Sequence, residues 1–276
     1  MSHSRFRNLE VLARVPSAPV KPVPLLFVHG AFTGAWCWDE HFLPFFAAAG
    51  YASYAVSLSG HGGSRGRDRL DQLSIADYVA DVTEVAAQLP APPILIGHSM
   101  GGFVVQKYLE QHDAAGAVLM CTVPPQGLMS AALNVMFSRP TLFQDINSLM
   151  GGGRVALETL REALFAQPIS VDDLTRFYRW SQPESHRAIW DMSMFDLPRP
   201  SRVRDVPLLV LGAEHDHLMP VSTARMTAAS YGVEAEIFTG MGHGLMLEHD
   251  WRKVAERLRR WFDEIAGIGT QEERKA

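Results

Sequence analysis

Short, almost wholly apolar stretches alternate with amphipathic stretches over much of the chain. An apolar run of about four to eight residues between turn residues is typical of a buried strand, and a longer one-faced pattern is typical of a helix. The runs that predict strands are 24–30, 51–58, 92–98, 116–123, 206–216 and 233–240. The stretches that predict helices are 36–50, 74–89, 99–112, 222–231 and 250–266. This alternation indicates a mostly parallel sheet with helices on both faces.

The pattern changes after Pro124, because residues 124–196 contain helical stretches and no convincing strand. One helix is predicted to begin after Ser170, which has Asp173 at the spacing of a capping box, and Ser74 with Asp77 repeats that signal in the helix at 74–89. We therefore expect 124–196 to be a helical cap inserted into a core. That core is formed by residues 1–123 and 197–266, and a polar tail follows at 267–276.

Composition narrows the class of protein. The chain has 276 residues, of which 47% are hydrophobic and 20% charged, as in a soluble globular protein. Its net charge is −5 with no long Lys/Arg run, so no nucleic-acid partner is predicted. Cys37 and Cys121, the two cysteines, form neither a disulfide framework nor a zinc-ligand spacing. The N-terminus lacks a signal-peptide pattern and no run reaches the ~20 apolar residues of a membrane span, so we expect a cytoplasmic protein.

Three residue types suited to acyl transfer follow predicted strands. Ser99 follows the run PILIGH, Asp216 ends the run PLLVLGAEHD, and His243 follows AEIFTGMG. Ligands bind at the carboxyl ends of the strands in such sheets, so the three residues belong to one edge. The order Ser, Asp, His and the G-x-S-x-G pattern around Ser99 are those of a nucleophile on a sharp strand-to-helix turn.

Each of these residue types has a physical reason to be there. A serine hydroxyl is a weak nucleophile unless a base takes its proton, and His243 is the predicted base, oriented by Asp216. The N–H groups of Met100 and Ala31 are the predicted donors to the oxyanion. Glu214 and Asp205 are alternative candidates for the acid, and His217 and His249 are alternative candidates for the base.

On these residues the chain resembles the α/β-hydrolase family of serine hydrolases. The matching segments are FVHGAF, SGHGGS, IGHSMGG, LGAEHDHLMP and GMGHGLMLE. GHSMGG with HGA is similar to the carboxylesterase and monoglyceride-lipase branch, and HGAFTGAWCW to the methylesterase and hydroxynitrile-lyase branch. The resemblance implies a Ser99–His243–Asp216 triad, oxyanion donors at Ala31 and Met100, and a cap over the acyl pocket. The expected fold class is α/β, with the cap inserted after the sixth strand.

The predicted function is hydrolysis of a carboxylic ester that carries a hydrophobic or aromatic group, with Phe32 as the best candidate for a pocket-lining residue. Thioester, lactone and C–C bond hydrolysis use the same triad and remain open, as does a non-catalytic small-molecule receptor. The resemblance implies that a hydroxynitrile lyase would rely on a lysine in the cap, and residues 124–196 contain none, so that activity is disfavoured. No cofactor is expected, and His215 and His217 lack the further ligand that a metal site needs. The oligomeric state stays open.

Overall fold

The computed structural model of the protein describes residues 8–17, 19–150 and 156–267, so the predicted tail, apart from Gly267, lies outside the described residues. Seven strands form one sheet in the order β1-β3-β2-β4-β5-β6-β7. All neighbours are parallel except β1 and β3. The strands are β1 Val11–Arg14, β2 Leu25–Val28, β3 Ser53–Val56, β4 Ile94–His98, β5 Gly116–Met120, β6 Leu208–Ala213 and β7 Ala235–Phe238.

The six predicted strands are confirmed, each shorter than its apolar run. β1 was not predicted, because it is a four-residue edge strand in which only Val11 is buried. The expectation that the cap follows the sixth strand is wrong. The segment that begins at Pro124 follows β5, the fifth strand. Five described strands precede Pro124, namely four that the apolar pattern predicts and the unpredicted β1. No other described segment before Pro124 pairs with the sheet.

Helices cover both faces of the sheet, as predicted. Alternate strand residues point to opposite faces, so Phe27 packs with the helices on one side and Leu26 with those on the other. The side of Phe27 is covered by α1 Trp36–Asp39, α2 Phe42–Ala48 and α11 Trp251–Ile265. The side of Leu26 is covered by α3 Ile75–Ala86, α4 Met100–Leu109 and α10 Val221–Ser230.

Two helix predictions have instructive outcomes. The helix predicted over 36–50 is divided into α1 and α2, with His41 outside helical geometry between them. Pro44 explains the break, because its ring would clash with the carbonyl of Glu40 in a continuous helix but fits the first turn of α2. By contrast, the capping box of Ser74 and Asp77 is present at the start of α3, as predicted.

The described part of the segment 124–196, called the cap below, consists of helices joined by loops, with no strand among its described residues. It contains α5 Met129–Ser138, α6 Pro140–Met150, α7 Leu157–Leu164, α8 Val171–Trp180, α9 His186–Trp190 and a π-helical turn at Asp191–Phe195. The α8 helix begins as predicted, with the Ser170 hydroxyl accepting from the Asp173 N–H at 3.0 Å. The cap leaves the sheet after β5 and returns before β6, and these strands are neighbours. Within the described residues, no helix is both long and apolar enough to span a membrane.

Candidate active site

Ser99 lies on the turn between β4 and α4. Its backbone has φ 53° and ψ −118°, a conformation that L residues rarely adopt, and it immediately precedes the first helical residue, Met100. The first N–H groups of a helix have no acceptor within the helix, so the Met100 N–H is available to a ligand. The positive end of the α4 dipole also favours negative charge at this position.

The glycines that flank Ser99 are required by close packing. A side chain on Gly97 would overlap the carbonyl of Gly101, and one on Gly101 would overlap the carbonyls of Val28 and His29. Any larger residue at either position would therefore push α4 away from β2 and β4. The bend that presents Ser99 therefore depends on close contacts of α4 with β4, which directly precedes it, and with β2, which is distant in sequence.

Asp216 and His243 are in direct contact at the same edge of the sheet. Asp216 follows β6 and His243 follows β7, and His243 Nδ1 lies 2.7 Å from Asp216 Oδ2. The other carboxylate oxygen accepts the N–H groups of Leu218 at 2.9 Å and Met219 at 2.7 Å. Both side chains are buried. A carboxylate at Nδ1 favours the tautomer that leaves the Nε2 lone pair of His243 free to accept a proton.

His98 connects the turn of Ser99 with the loop of His243. Its Nε2 donates to the backbone carbonyl of His243 at 2.9 Å, and the two imidazole rings are 4.6 Å apart. Burial and, next, the nearby His243 lower the pKa of His98 well below its ordinary value, so the ring is neutral. Because His98 directly precedes Ser99, this hydrogen bond brings the predicted serine and histidine loops together.

The peptide between Gly30 and Ala31 is held from two sides. The Gly30 carbonyl accepts from His29 Nδ1 at 2.8 Å and from the Thr33 hydroxyl at 2.9 Å. His29 Nε2 in turn accepts the N–H of Leu58 at 3.0 Å, and burial, followed by His61, lowers the pKa of His29 to about 3. A peptide is planar, so fixing the Gly30 carbonyl also fixes the direction of the Ala31 N–H.

The comparisons with known proteins agree with this architecture. The sequence profile of the Alpha/beta hydrolase family matches residues 25–257. The chain belongs to the α/β-hydrolase family. It is 27% identical to a non-heme haloperoxidase from Rhodococcus erythropolis, over 80% of this chain and 86% of that protein. It is 25% identical to a monoacylglycerol lipase from Mycolicibacterium smegmatis, over 81% and 82% of the two chains.

Solved structures of lower sequence identity share the fold. An esterase from Exiguobacterium antarcticum superposes with a TM-score of 0.69 at 20% identity, covering 92% of this chain and 94% of that chain. At this identity the likeness concerns the fold alone.

Cys121 lies beside Asp216 and His243. It has a positive φ of 44° and is buried. Its sulfur, a carboxylate oxygen of Asp216 and a ring nitrogen of His243 all lie within 4.8 Å of one another. Burial first, and the charge of Asp216 second, raise the pKa of the thiol well above its usual value. The thiol is therefore protonated, which makes it a poor metal ligand. His215, which the sequence does not favour as a metal ligand, is half-exposed.

Glu248 is a buried residue of the site that sequence reasoning missed. Its carboxylate accepts the backbone N–H of Gly242 at 2.7 Å, next to His243. It also accepts the N–H groups of two cap residues, Ala166 at 2.7 Å and Gln167 at 3.2 Å. The loop of His243 is thus fastened to the cap by one carboxylate. The only sequence signal for Glu248 is that it ends the family-like segment GMGHGLMLE. No neighbouring residue indicates which groups its carboxylate binds.

Proposed function

We propose that the protein is a serine hydrolase that cleaves carboxylic esters through an acyl-enzyme. The contact between His243 and Asp216 at 2.7 Å carries this proposal, because it orients an imidazole at the sheet edge where the Ser99 turn lies. The similarity to a monoacylglycerol lipase supports ester hydrolysis as the reaction class. The cap, residues 124–196, is proposed to roof the acyl pocket, with residues 1–123 and 197–266 forming the core.

In the proposed reaction the Ser99 hydroxyl attacks the ester carbonyl while His243 Nε2 takes the hydroxyl proton. The carbonyl oxygen becomes an oxyanion and accepts the N–H groups of Ala31 and Met100. His243 then gives its proton to the alkoxide, which leaves as the alcohol, and the acyl group stays on Ser99. Water, deprotonated by His243, attacks the acyl-enzyme, and collapse of the second oxyanion releases the acid and restores the Ser99 hydroxyl.

A hydrophobic or aromatic substrate group is supported by the contacts between the core and the cap. Trp36, just beyond the proposed oxyanion loop, stacks on Phe177 with ring centroids 5.5 Å apart and contacts Trp180 at 5.3 Å. These cap residues present aromatic surface beside the loop that carries Ala31. Phe32 adjoins Ala31 and is partly exposed, which supports its proposed role in lining the pocket.

Labelling with a fluorophosphonate probe tests the nucleophile. We expect the wild-type protein to be labelled once per chain at neutral pH and the Ser99→Ala variant not to be labelled. The variant should lower kcat/KM for a p-nitrophenyl ester by ~10⁴-fold or more without a change in Tm. Ser201→Ala, at an exposed position, is the matched control and should behave as wild type. Labelling or turnover that survives in Ser99→Ala would remove Ser99 from the mechanism.

A substrate panel distinguishes the reactions that one triad can perform. We expect p-nitrophenyl esters with apolar or aromatic acyl groups to be hydrolysed faster than thioesters, lactones or β-diketones. Because one relative is a non-heme haloperoxidase, the panel is repeated with hydrogen peroxide. Peroxide that replaces water in the attack on the acyl-enzyme would yield a peroxyacid. A faster thioester, lactone or diketone reaction would replace ester hydrolysis as the assignment, and binding without any turnover would indicate a receptor.

A further inference from the structure

The loop that carries the proposed oxyanion donor Ala31 is bonded to the cap at its most strained residue. Phe32 has a positive φ of 64°, unusual for a bulky residue, so its conformation needs support from its surroundings. Its carbonyl accepts the backbone N–H of Gln182, a cap residue, at 2.9 Å. The position of the cap at residue 182 therefore bears directly on the geometry of the oxyanion loop.

Gln182 is itself held in place by the loop that follows β3. Its side-chain oxygen accepts the N–H of Gly62 at 3.0 Å and a guanidinium N–H of Arg67 at 2.7 Å. Its side-chain nitrogen donates to the carbonyl of Gly60 at 3.2 Å. One glutamine thus joins the cap, the oxyanion loop and the SGHGGS loop, which are three separate segments of the chain.

Two residues further on, Glu184 fastens the same cap segment through a buried charge. Its carboxylate accepts from His61 Nε2 at 3.0 Å, from the Tyr78 hydroxyl at 2.7 Å and from the N–H of Ser185 at 2.7 Å. His61 Nδ1 faces the carbonyl of Ser59 at 3.0 Å. Both ring nitrogens of His61 therefore face acceptors, as in an imidazolium that donates twice. His61 and Glu184 are both fully buried and form an ion pair between core and cap.

The ion pair also lies against the other support of the oxyanion loop. The ring of His61 packs on that of His29 with centroids 5.0 Å apart, and His29 donates to the Gly30 carbonyl. Contacts therefore run from Glu184 through His61 and His29 to the peptide that holds the Ala31 N–H. A second set runs from Gln182 to Phe32, so the two supports reach the loop from both sides of Ala31.

We infer that the cap segment Gln182–Ser185, fastened by the His61–Glu184 ion pair, is a positioning element that aims the Ala31 N–H at the oxyanion. The oxyanion site is assembled only when this segment is docked on the core. The inference rests on the proposed ester hydrolysis and adds a requirement for residues that never touch the substrate. Its signature is a loss confined to transition-state stabilisation, with substrate binding retained.

The decisive variant is Glu184→Gln, which keeps the shape of the side chain and removes its charge. Loss of one oxyanion donor costs about 10²–10³ in kcat, so misaiming one is expected to lower kcat by ~10- to ~100-fold with KM changed less than ~3-fold. Inhibition by phenylboronic acid, which forms a tetrahedral adduct with the serine, should weaken by the same factor as kcat. Inhibition by benzyl alcohol, which forms no such adduct, should be unchanged. Glu158→Gln, an exposed carboxylate on α7, is the matched control and should match wild type.

Three results would overturn the inference: an unchanged kcat, a rise in KM with kcat unchanged, or an equal weakening of inhibition by both compounds. The last result would mean that the pocket itself had collapsed. If Glu184→Gln does not fold, Gln182→Ala replaces it, because it removes three polar contacts and leaves the buried ion pair in place. It should give the same pattern at a smaller size, and unchanged kinetics in it would equally refute the inference. Fluorophosphonate labelling of wild-type Ser99 separates the two hypotheses: failure to label sinks the proposed function, whereas labelling with normal kcat in the variants sinks only the positioning role.

Discussion

The sheet core and the boundary between core and cap are held together by different forces. In the sheet core, Phe27 is fully buried among Trp38, Phe42 and Phe46, with ring centroids 5.0–6.3 Å away. The boundary, called the seam here, is defined by three buried carboxylates, Glu184, Asp191 and Glu248. Glu184 accepts the backbone N–H of Ser185, and Asp191 accepts that of Ile75 at 3.2 Å. Glu248 accepts three backbone N–H groups.

This difference indicates that the sheet core and the seam contribute differently to stability and activity. Apolar burial is non-directional and independent of pH, so it stabilises the fold without fixing the detailed position of a loop. A buried carboxylate is costly to desolvate and must be fully paired, but its hydrogen bonds define geometry. We therefore expect core substitutions to act mainly on unfolding free energy and seam substitutions mainly on the candidate site.

The largest expected effect on stability is in the sheet core. Phe27→Ala should lower the free energy of unfolding by about 3–5 kcal/mol, because it removes a buried aromatic ring and leaves a cavity. Phe137→Ala, where the side chain is 80% exposed, should change it by less than about 0.5 kcal/mol. Urea titrations of both variants measure the difference. Similar losses in the two would contradict the assignment of Phe27 to the core.

At the seam, Glu248→Gln should affect activity more than stability. Oε1 of Glu248 accepts the N–H groups of Gly242 and Ala166, and Oε2 accepts that of Gln167. An amide has one acceptor oxygen, so at least one of these three donors loses its partner, at a cost of ~1–3 kcal/mol, and a neutral oxygen holds the others less strongly than a carboxylate does. Because Gly242 is among those donors and adjoins His243, we expect kcat/KM to fall by roughly 10-fold.

Glu256→Gln, on the exposed side of α11, is the matched control for Glu248→Gln. Steady-state kinetics and a thermal melt of both variants provide the measurement. Normal turnover in Glu248→Gln, with its stability lowered, would show that the seam at Glu248 has only a structural role.

The smallest expected effect is the pH dependence of the His61–Glu184 ion pair. Burial alone would lower the pKa of His61, but Glu184 outweighs it, so the pKa is raised above its ordinary 6.5. Burial would likewise raise the pKa of Glu184, but His61 outweighs it, so that pKa is lowered from 4.5. The contribution of His61 is therefore complete below pH 6.5 and is lost as the pH rises through its raised pKa. The contribution of Glu184 is complete above pH 4.5 and is lost as the pH falls.

The measurement is the unfolding free energy of wild type minus that of Glu184→Gln between pH 5 and 9. The difference should be largest near pH 5 to 6.5 and shrink at higher pH. Subtracting the two free energies is needed because His29 and His98 also make stability depend on pH. Burial lowers their pKa values, which weakens the fold of both proteins as the pH falls below 6.5. Tyr78, with a pKa raised by burial and by Glu184, and Arg67 also face the pair. A difference that does not vary with pH would refute an ionised His61.

Much of the fold was predictable because its signals are local. Continuous apolar runs mark strands that are buried on both faces, and Ser74 with Asp77 marks the start of α3 within four residues. Two of the misses have an identifiable physical cause. The edge strand β1 buries too little to leave an apolar run, and the interruption at Pro44 depends on a clash that a hydrophobic pattern does not record.

The residues of the candidate site that directly follow strands were predictable from the sequence. Ser99, Asp216 and His243 stand out because each follows a strand, and the contact between the last two agrees with that interpretation. Their catalytic roles, and those of Ala31, Met100 and Phe32, stay predictions that the labelling and kinetic experiments test. Glu184 and Glu248 could not be predicted, because their partners lie 123 residues away in His61 and 82 residues away in Ala166.

The sequence by itself therefore determined the alternation of strands and helices apart from β1, the helical character of the segment that begins at Pro124, and the residues suited to acyl transfer. These follow from side-chain period, helix capping and the small residues around Ser99, all of which are local properties. Only the tertiary structure decided which carboxylates are buried and what they hold. Such pairings depend on loops that meet in space, where leaving a charge unpaired would cost several kcal/mol. For the same reason, the hydrogen bond from the cap residue Gln182 to the carbonyl of Phe32, next to Ala31, could be found only in the tertiary structure.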